Sequence, residues 1–196
     1  WESLNSPLLD VLTVKYIITS ATIDLPKFNQ VWQGEGVSVY ENLGVAPRAY
    51  TLPLTATAVS PDPYATLQTN DPRQFVVVDD RDWAGTVEVP IPDLQPPESG
   101  TLTPAAINTY TNIQLAADAD VTEPSWLVVG DSFFPGWKAY VRPYNAPESE
   151  ETEVPIFRVN GNFRGVLLEP GHWTVRMRYS PVSFQLGALA SFMGGI

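Results

Sequence analysis

The chain has 196 residues, 44% hydrophobic and 17% charged, so it can bury a substantial core in one large or two small domains and is too mixed for an integral membrane bundle. Its 22 acidic and 11 basic residues give a formal charge of -11, which repels polyphosphate and argues against nucleic-acid binding. Cysteine is absent, which excludes disulfides, thiolate chemistry and Cys-ligated zinc but does not discriminate between compartments.

The sequence starts at Trp1 with no basic and apolar leader ahead of its first strand-like segment, and it reads as an excised fragment. Ser6 and Pro7 predict a short helical turn, with Ser6 capping and Pro7 in the first helical position. Strands are expected at 14–19 and 37–42, separated by a loop around Leu25-Pro26-Lys27-Phe28. Two more follow at 49–54 and 75–79, with a surface connection between them where Pro61 and Pro63 break regular structure. Four prolines between Val89 and Gly100 predict an extended, poorly packed connection.

Beyond it, 107–116 alternates cleanly, with Ile107, Thr109, Thr111, Ile113 and Leu115 on one side. Further strands are expected at 125–130, 138–142, 155–159, 163–168 and 173–179, joined by the Pro135-Gly136 and Pro170-Gly171 corners. Asn160-Gly161 predicts a tight hairpin on a two-residue turn. In the last strand Trp173, Val175, Met177 and Tyr179 are expected to face the core, opposite Thr174, Arg176 and Arg178. The stretch 182–196 carries no charge and reads as the start of a truncated transmembrane helix, against a buried terminal strand or core helix.

The expected fold class is all-β, a β-sandwich or jelly-roll-like arrangement in one unit or two β subdomains, with little helix. The expected division is an N-terminal β-rich part (1–88), a Pro-rich connection (89–104), a C-terminal sandwich part (105–181) and the membrane-directed segment (182–196).

Several motifs occur in one order along the chain. They are Leu8-Leu9-Asp10-Val11-Leu12, Val39-Tyr40-Glu41-Asn42, Ala46-Pro47-Arg48-Ala49-Tyr50, the Pro135-Gly136-Trp137 corner, Phe163-Arg164-Gly165-Val166 and Tyr179-Ser180-Pro181. In that order they resemble the C-terminal extracytoplasmic β-rich module of the YfhO-like bacterial membrane protein family, whose members look like multi-span glycosyltransferases using lipid-linked sugars. The resemblance implies a piece of a polytopic membrane protein, held at the cell membrane by flanking spans, with catalysis elsewhere in the parent and a role in cell-envelope glycosylation. Where relatives have a compact Asp-Gly turn, this chain has an acidic loop, 142–153, which puts any family contact through that turn in doubt.

No motif in the chain specifies a reaction. Asp131, Ser132 and His172 supply the residue types of a triad but lack a nucleophile elbow and oxyanion donors. Asp118, Asp120 and Glu123 lack the glycine and distant glutamate of a calcium loop, and Glu148, Glu150, Glu151 and Glu153 read as a solvated loop. No metal site and no cofactor are expected. The candidate ligand-binding residues are Trp137, Tyr140 and Trp173, as an aromatic platform for a sugar ring, with Arg164 and Arg48 able to orient an anionic group. Core packing competes for the rings and structural pairing for the arginines. A glycan or lipid-linked sugar is the expected partner, against a structural or protein-interaction module that binds no sugar.

Overall fold

The computed structural model describes residues 2–83 and 99–194, so most of the Pro-rich connection lies outside the described residues. A short helix α1 (Pro7–Val11) opens the fold, and Ser6 Oγ accepts from Leu8 N at 3.2 Å with Pro7 in the first turn, as the residue types require. Strands β1 (Tyr16–Thr19), β2 (Phe28–Gly34) and β3 (Val37–Asn42) then make a small antiparallel sheet in the order β1-β3-β2. The reading of a loop around Phe28 is corrected here, because Phe28 starts β2 and its ring is buried against Ile23 and Tyr40.

A seven-stranded sheet runs β5-β6-β13-β14-β10-β4-β7. Its members are β4 (Ala49–Pro53), β5 (Thr57–Ser60), β6 (Val76–Asp79), β7 (Thr103–Pro104), β10 (Ser125–Ser132), β13 (Phe157–Val159) and β14 (Phe163–Leu168). Strands from both sides of the Pro-rich connection therefore share one sheet, as in the pairing of Tyr50 with Val128. Between β5 and β6 the Pro61-Pro63 stretch does not stay irregular. Asp62 caps a helix, α2 (Pro63–Thr69), with its carboxylate accepting from Ala65 N at 3.0 Å and Pro63 at the start, where a missing N–H costs nothing. Helix α3 (Asp80–Trp83) follows β6 directly.

The opposing five-stranded sheet runs β12-β11-β15-β9-β8, from β8 (Ala106–Tyr110), β9 (Gln114–Val121), β11 (Trp137–Pro143), β12 (Thr152–Val154) and β15 (Gly171–Tyr179). The stretch predicted as one alternating strand at 107–116 folds back at Thr111, whose hydroxyl accepts from Gln114 N at 3.0 Å, and so divides into β8 and β9. The two large sheets bury Leu115, Ala117, Leu127, Val129, Val175 and Met177 between them, which makes the body a β-sandwich. On the far face of the seven-stranded sheet, Tyr50, Leu52, Trp126 and Phe157 form a second core capped by Val11 of α1. Strand β10 is therefore covered on both sides, and Trp126, Leu127, Val128 and Val129 are all fully buried with no alternation.

The Asn160-Gly161 hairpin forms between β13 and β14 with φ of 48° and 80°, but its loop has three residues. Asn160 spends its side chain on the neighbouring strand, accepting from Val77 N at 2.8 Å, and the Asn162 carbonyl accepts from Phe133 N at 2.7 Å. The two-residue turn with both φ values positive lies instead at Glu35-Gly36, 51° and 77°, joining β2 to β3. The chain ends its described part in α4 (Val182–Gly194), thirteen residues without a charge. Among the described residues no helix is long and apolar enough to cross a membrane.

Candidate functional site

Strand parity decides where the predicted platform residues point. On β11, Ala139 and Val141 face the sandwich core, and so does Trp137; Lys138, Tyr140 and Arg142 take the outer face. On β15, Trp173, Val175 and Met177 face inward, with Thr174, Arg176 and Arg178 outward, as the sequence predicts. Trp137 pairs with Tyr179 and Trp173 with Pro143, at opposite ends of the ladder and about 20 Å apart along the strands. The three rings do not form one platform. Trp137 and Trp173 are core-packing side chains, while Tyr140 lies on the solvent face with the Arg176 guanidinium 4.7 Å from its ring centre.

Arg164 does meet Trp137. Its guanidinium lies 3.9 Å over the indole, and Nη2 donates to Asp131 Oδ2 at 2.6 Å. Asp131 Oδ1 accepts from Arg48 Nη1 at 2.6 Å and from the Tyr110 hydroxyl at 3.1 Å, and Arg48 Nη2 reaches Thr13 Oγ1 at 3.0 Å. Arg164 is 2% exposed, and its Nε and Nη1 make no hydrogen bond. Desolvation lowers its pKa despite the adjacent Asp131, and the indole face offsets part of that cost. This network closes one end of the sandwich, tying the residue just before β4 to β8, β10 and β14. His172, stacked on Tyr144 at the far end, is remote from Asp131, so the Asp131-Ser132-His172 trio is not assembled.

The outer face of the five-stranded sheet carries an open groove of about 370 Å³. Its floor comes from alternate residues of β9 and β15, where Asp118 accepts from Thr174 Oγ1 at 2.7 Å and from Asn108 Nδ2 of β8 at 2.6 Å. One wall is the arginine pair Arg142 and Arg176, held from below by a single carboxylate, Glu151. Arg176 Nε donates to both Glu151 oxygens at 3.0 and 3.1 Å, and Arg142 Nη1 donates to Oε1. Glu151 is thus no part of a solvated acidic loop: its side chain is 5% exposed, and the Arg176 hydrogen bonds hold its carboxyl below the ordinary carboxylate range against the opposing effect of burial. Arg142 Nε is buried beside the groove with no hydrogen-bond partner.

The far wall is Tyr144, in the loop where this chain departs from the compact turn. Asn145 at φ 61° turns the chain, Tyr144 N donates to His172 O at 2.9 Å, and the two rings stack at 3.8 Å and 9°. The groove therefore offers an aromatic side chain fixed by stacking, a carboxylate with spare acceptor capacity and two preorganised guanidinia. A second polar pocket of about 370 Å³ near Thr51, Thr103, Asp120 and Glu123 is lined by neither an aromatic ring nor a cation among the described residues. No cluster of His, Cys, Asp and Glu that could hold a metal ion occurs among the described residues.

No family model matches the chain, and no curated protein does. One solved structure, the single-particle cryo-EM structure of arabinofuranosyltransferase AftD from Mycobacteria, aligns at 25% identity over 42% of this chain and 6% of that chain, with a TM-score of 0.35. At that score and coverage, the likeness carries no functional argument. The resemblance to the YfhO-like family rests on the ordered motifs alone.

Proposed function

We propose that this chain is a non-catalytic glycan-recognising β-sandwich on the extracytoplasmic side of a YfhO-like membrane protein, positioning a glycan or lipid-linked sugar for cell-envelope glycosylation by the parent. The observation that carries the reading is the outer-face groove. A saccharide presents hydroxyls that donate and accept at close spacing together with an apolar ring face. Asp118, Arg142, Arg176 and Tyr144 supply the complementary acceptor, donors and aromatic surface, and Tyr140 keeps Arg176 in place from the same face. The ordered sequence motifs support the parentage, and the acidic loop that departs from the family supplies Tyr144, so the ligand preference belongs to this chain.

Titration calorimetry of the chain against neutral and uronic-acid oligosaccharides tests it. Binding that weakens at least about tenfold in Tyr144→Ala, and is unchanged in Trp137→Leu, is the expected result. No heat with any saccharide at millimolar concentration would overturn the reading and leave a structural module.

A further inference from the structure

The three-stranded sheet β1-β3-β2 packs one face on Ile23 and Leu25 through Ile17, Phe28 and Tyr40, and exposes Tyr16, Ile18 and Trp32. Unbroken alternation along β2 would put Trp32 on the covered side, with Phe28 and Gln30. A β-bulge at Val31 shifts the register between Gln30 and Trp32, so that Trp32 stands opposite Val39 on the exposed face. Gly34 supplies its seat. A Cβ at Gly34 would lie 2.7 and 2.8 Å from Cζ2 and Cη2 of the indole, so the ring rests on bare backbone. Trp32 is nevertheless 50% exposed, because the ring face turned away from the sheet meets solvent.

The register sorts this face into two rows. Ile18, Val39 and Trp32 are cross-strand partners and form an apolar row. Tyr16, Glu41 and Asn29 are partners in the next row, about 7 Å further along the strands, and bring a phenol, a carboxylate and an amide. Lys15 Nζ lies 3.7 Å from Glu41 Oε1 and 5.3 Å from the Tyr16 ring centre, at the rim of the polar row.

We propose that this face is a second saccharide site, a flat platform for a β-linked glycan of pyranose rings with equatorial hydroxyls, one ring stacked on Trp32. Equatorial substituents leave the faces of such a ring as C–H surface, which suits an open indole face, and send the hydroxyls outward to the neighbouring polar row. The size of the face argues against a protein partner. Three strands at about 4.8 Å spacing and six residues of β3 at about 3.3 Å each give about 300 Å², against the roughly 800 Å² per partner of a stable protein interface. A second copy of the chain would also press the Glu41 row out of water with no new cation to meet it. A sugar chain covers the apolar row and leaves the polar row its hydrogen bonds. The platform rests on the geometry of the small sheet alone and is independent of the groove.

Cellohexaose is titrated into the nitrogen-15-labelled full chain, and the indole N–H resonance of Trp32, identified by its loss in Trp32→Phe, is followed. That resonance is expected to shift, and to shift equally in Tyr144→Ala, which removes the aromatic wall of the groove. Maltohexaose, whose α-linkages bend the chain away from a plane, is expected to leave it in place. Read at the amides of Ile18 and Val39, Trp32→Ala is expected to weaken cellohexaose binding at least about tenfold. Gly34→Ala keeps the indole but occupies its seat; the ring can swing aside, so binding is expected to weaken with the thermal midpoint unchanged. A Trp32 resonance unmoved by millimolar cellohexaose would overturn the proposal, as would an equal response to maltohexaose. A shift abolished by Tyr144→Ala would overturn it by placing the sugar in the groove. A resonance that moves with protein concentration alone would overturn it by assigning the face to a second copy of the chain. If saccharides act at Trp32 and nowhere near Tyr144, the groove reading fails and the platform stands.

Discussion

The two large sheets use the same backbone differently. In the seven-stranded sheet, both faces of β10 are covered and four consecutive side chains from Trp126 to Val129 are lost to solvent. In the five-stranded sheet, the inner residues Leu115, Ala117, Val175 and Met177 are buried while their neighbours Gln114, Asp118, Thr174 and Arg176 line an open groove. A sheet buried on both sides is committed to stability; a sheet buried on one side has a free face on which polar groups can be arranged at the spacing of the pleat. The groove lies on the sheet that has such a face, and substitutions in the two sheets are expected to separate folding from recognition.

The largest effect is expected at Trp126. Its ring meets Phe157 edge-on at 5.3 Å and its Nε1 donates to Thr57 Oγ1 at 2.8 Å, so Trp126→Ala leaves a cavity and strips the Thr57 hydroxyl of one of its two hydrogen bonds, the other being its donation to Leu54 O at 2.6 Å. A loss of about 3–5 kcal/mol in urea unfolding is expected, with saccharide affinity of the remaining folded protein unchanged. A small loss would show that the second core is dispensable and that the contrast between the sheets is false.

Glu151 is the next test, because its buried carboxylate carries both guanidinia of the groove wall. Glu151→Gln leaves two guanidinia facing a neutral amide and is expected to cost about 2–3 kcal/mol together with most saccharide affinity. The pH dependence has a definite sign. A carboxyl whose folded pKa is lowered contributes stability above its unfolded value and loses it as pH falls through the folded value. The gap between the parent protein and Glu151→Gln is therefore expected to narrow on acidification, as read from urea midpoints across pH 3 to 7. A gap constant with pH would mean that the arginine pair is held by something other than this charge.

Tyr144→Ala should behave oppositely. The side chain is 42% exposed and outside both cores, so stability is expected to move by no more than about 0.5 kcal/mol while saccharide binding falls. Unfolding and binding measured on one sample separate this from Trp126→Ala, and a Tyr144→Ala protein that unfolds as easily as the core variant would merge the two regions again.

What could be read from the sequence follows the range of the interaction. The alternation Trp173, Val175, Met177 against Thr174, Arg176, Arg178 is local, and it gave the correct faces of β15. The Ser6-Pro7 cap and the ends of β3 and β14 are local too. The aromatic platform failed on information that was present: Trp137 and Tyr140 differ by three on one strand, and an odd interval places them on opposite faces. Helix α2 was hidden because two prolines read as breakers, although Asp62-Pro63 is also a cap followed by a first-turn proline. The groove carried no sequence signal. Asn108, Asp118, Arg142 and Thr174 come from four strands and become neighbours only through the order β11-β15-β9-β8.

The smallest expected effect concerns the two turns in which consecutive residues take positive φ. Asn160-Gly161 has the residues such a geometry favours, and both are tied into the body of the fold, Asn160 to Val77 and Gly161 beneath Tyr64. Glu35-Gly36 adopts similar angles in the peripheral three-stranded sheet with a residue that gains nothing from a left-handed conformation, and the space at Gly36 is open. Glu35→Asn is expected to stabilise that hairpin by about 0.5 kcal/mol, visible as slower amide exchange in β2 and β3. If β10 amides slowed equally, the small sheet would unfold together with the sandwich, and the molecule would have one cooperative unit where its separate clusters, Ile23-Phe28-Tyr40 in the small sheet and Tyr50-Trp126 in the large one, lead us to expect two.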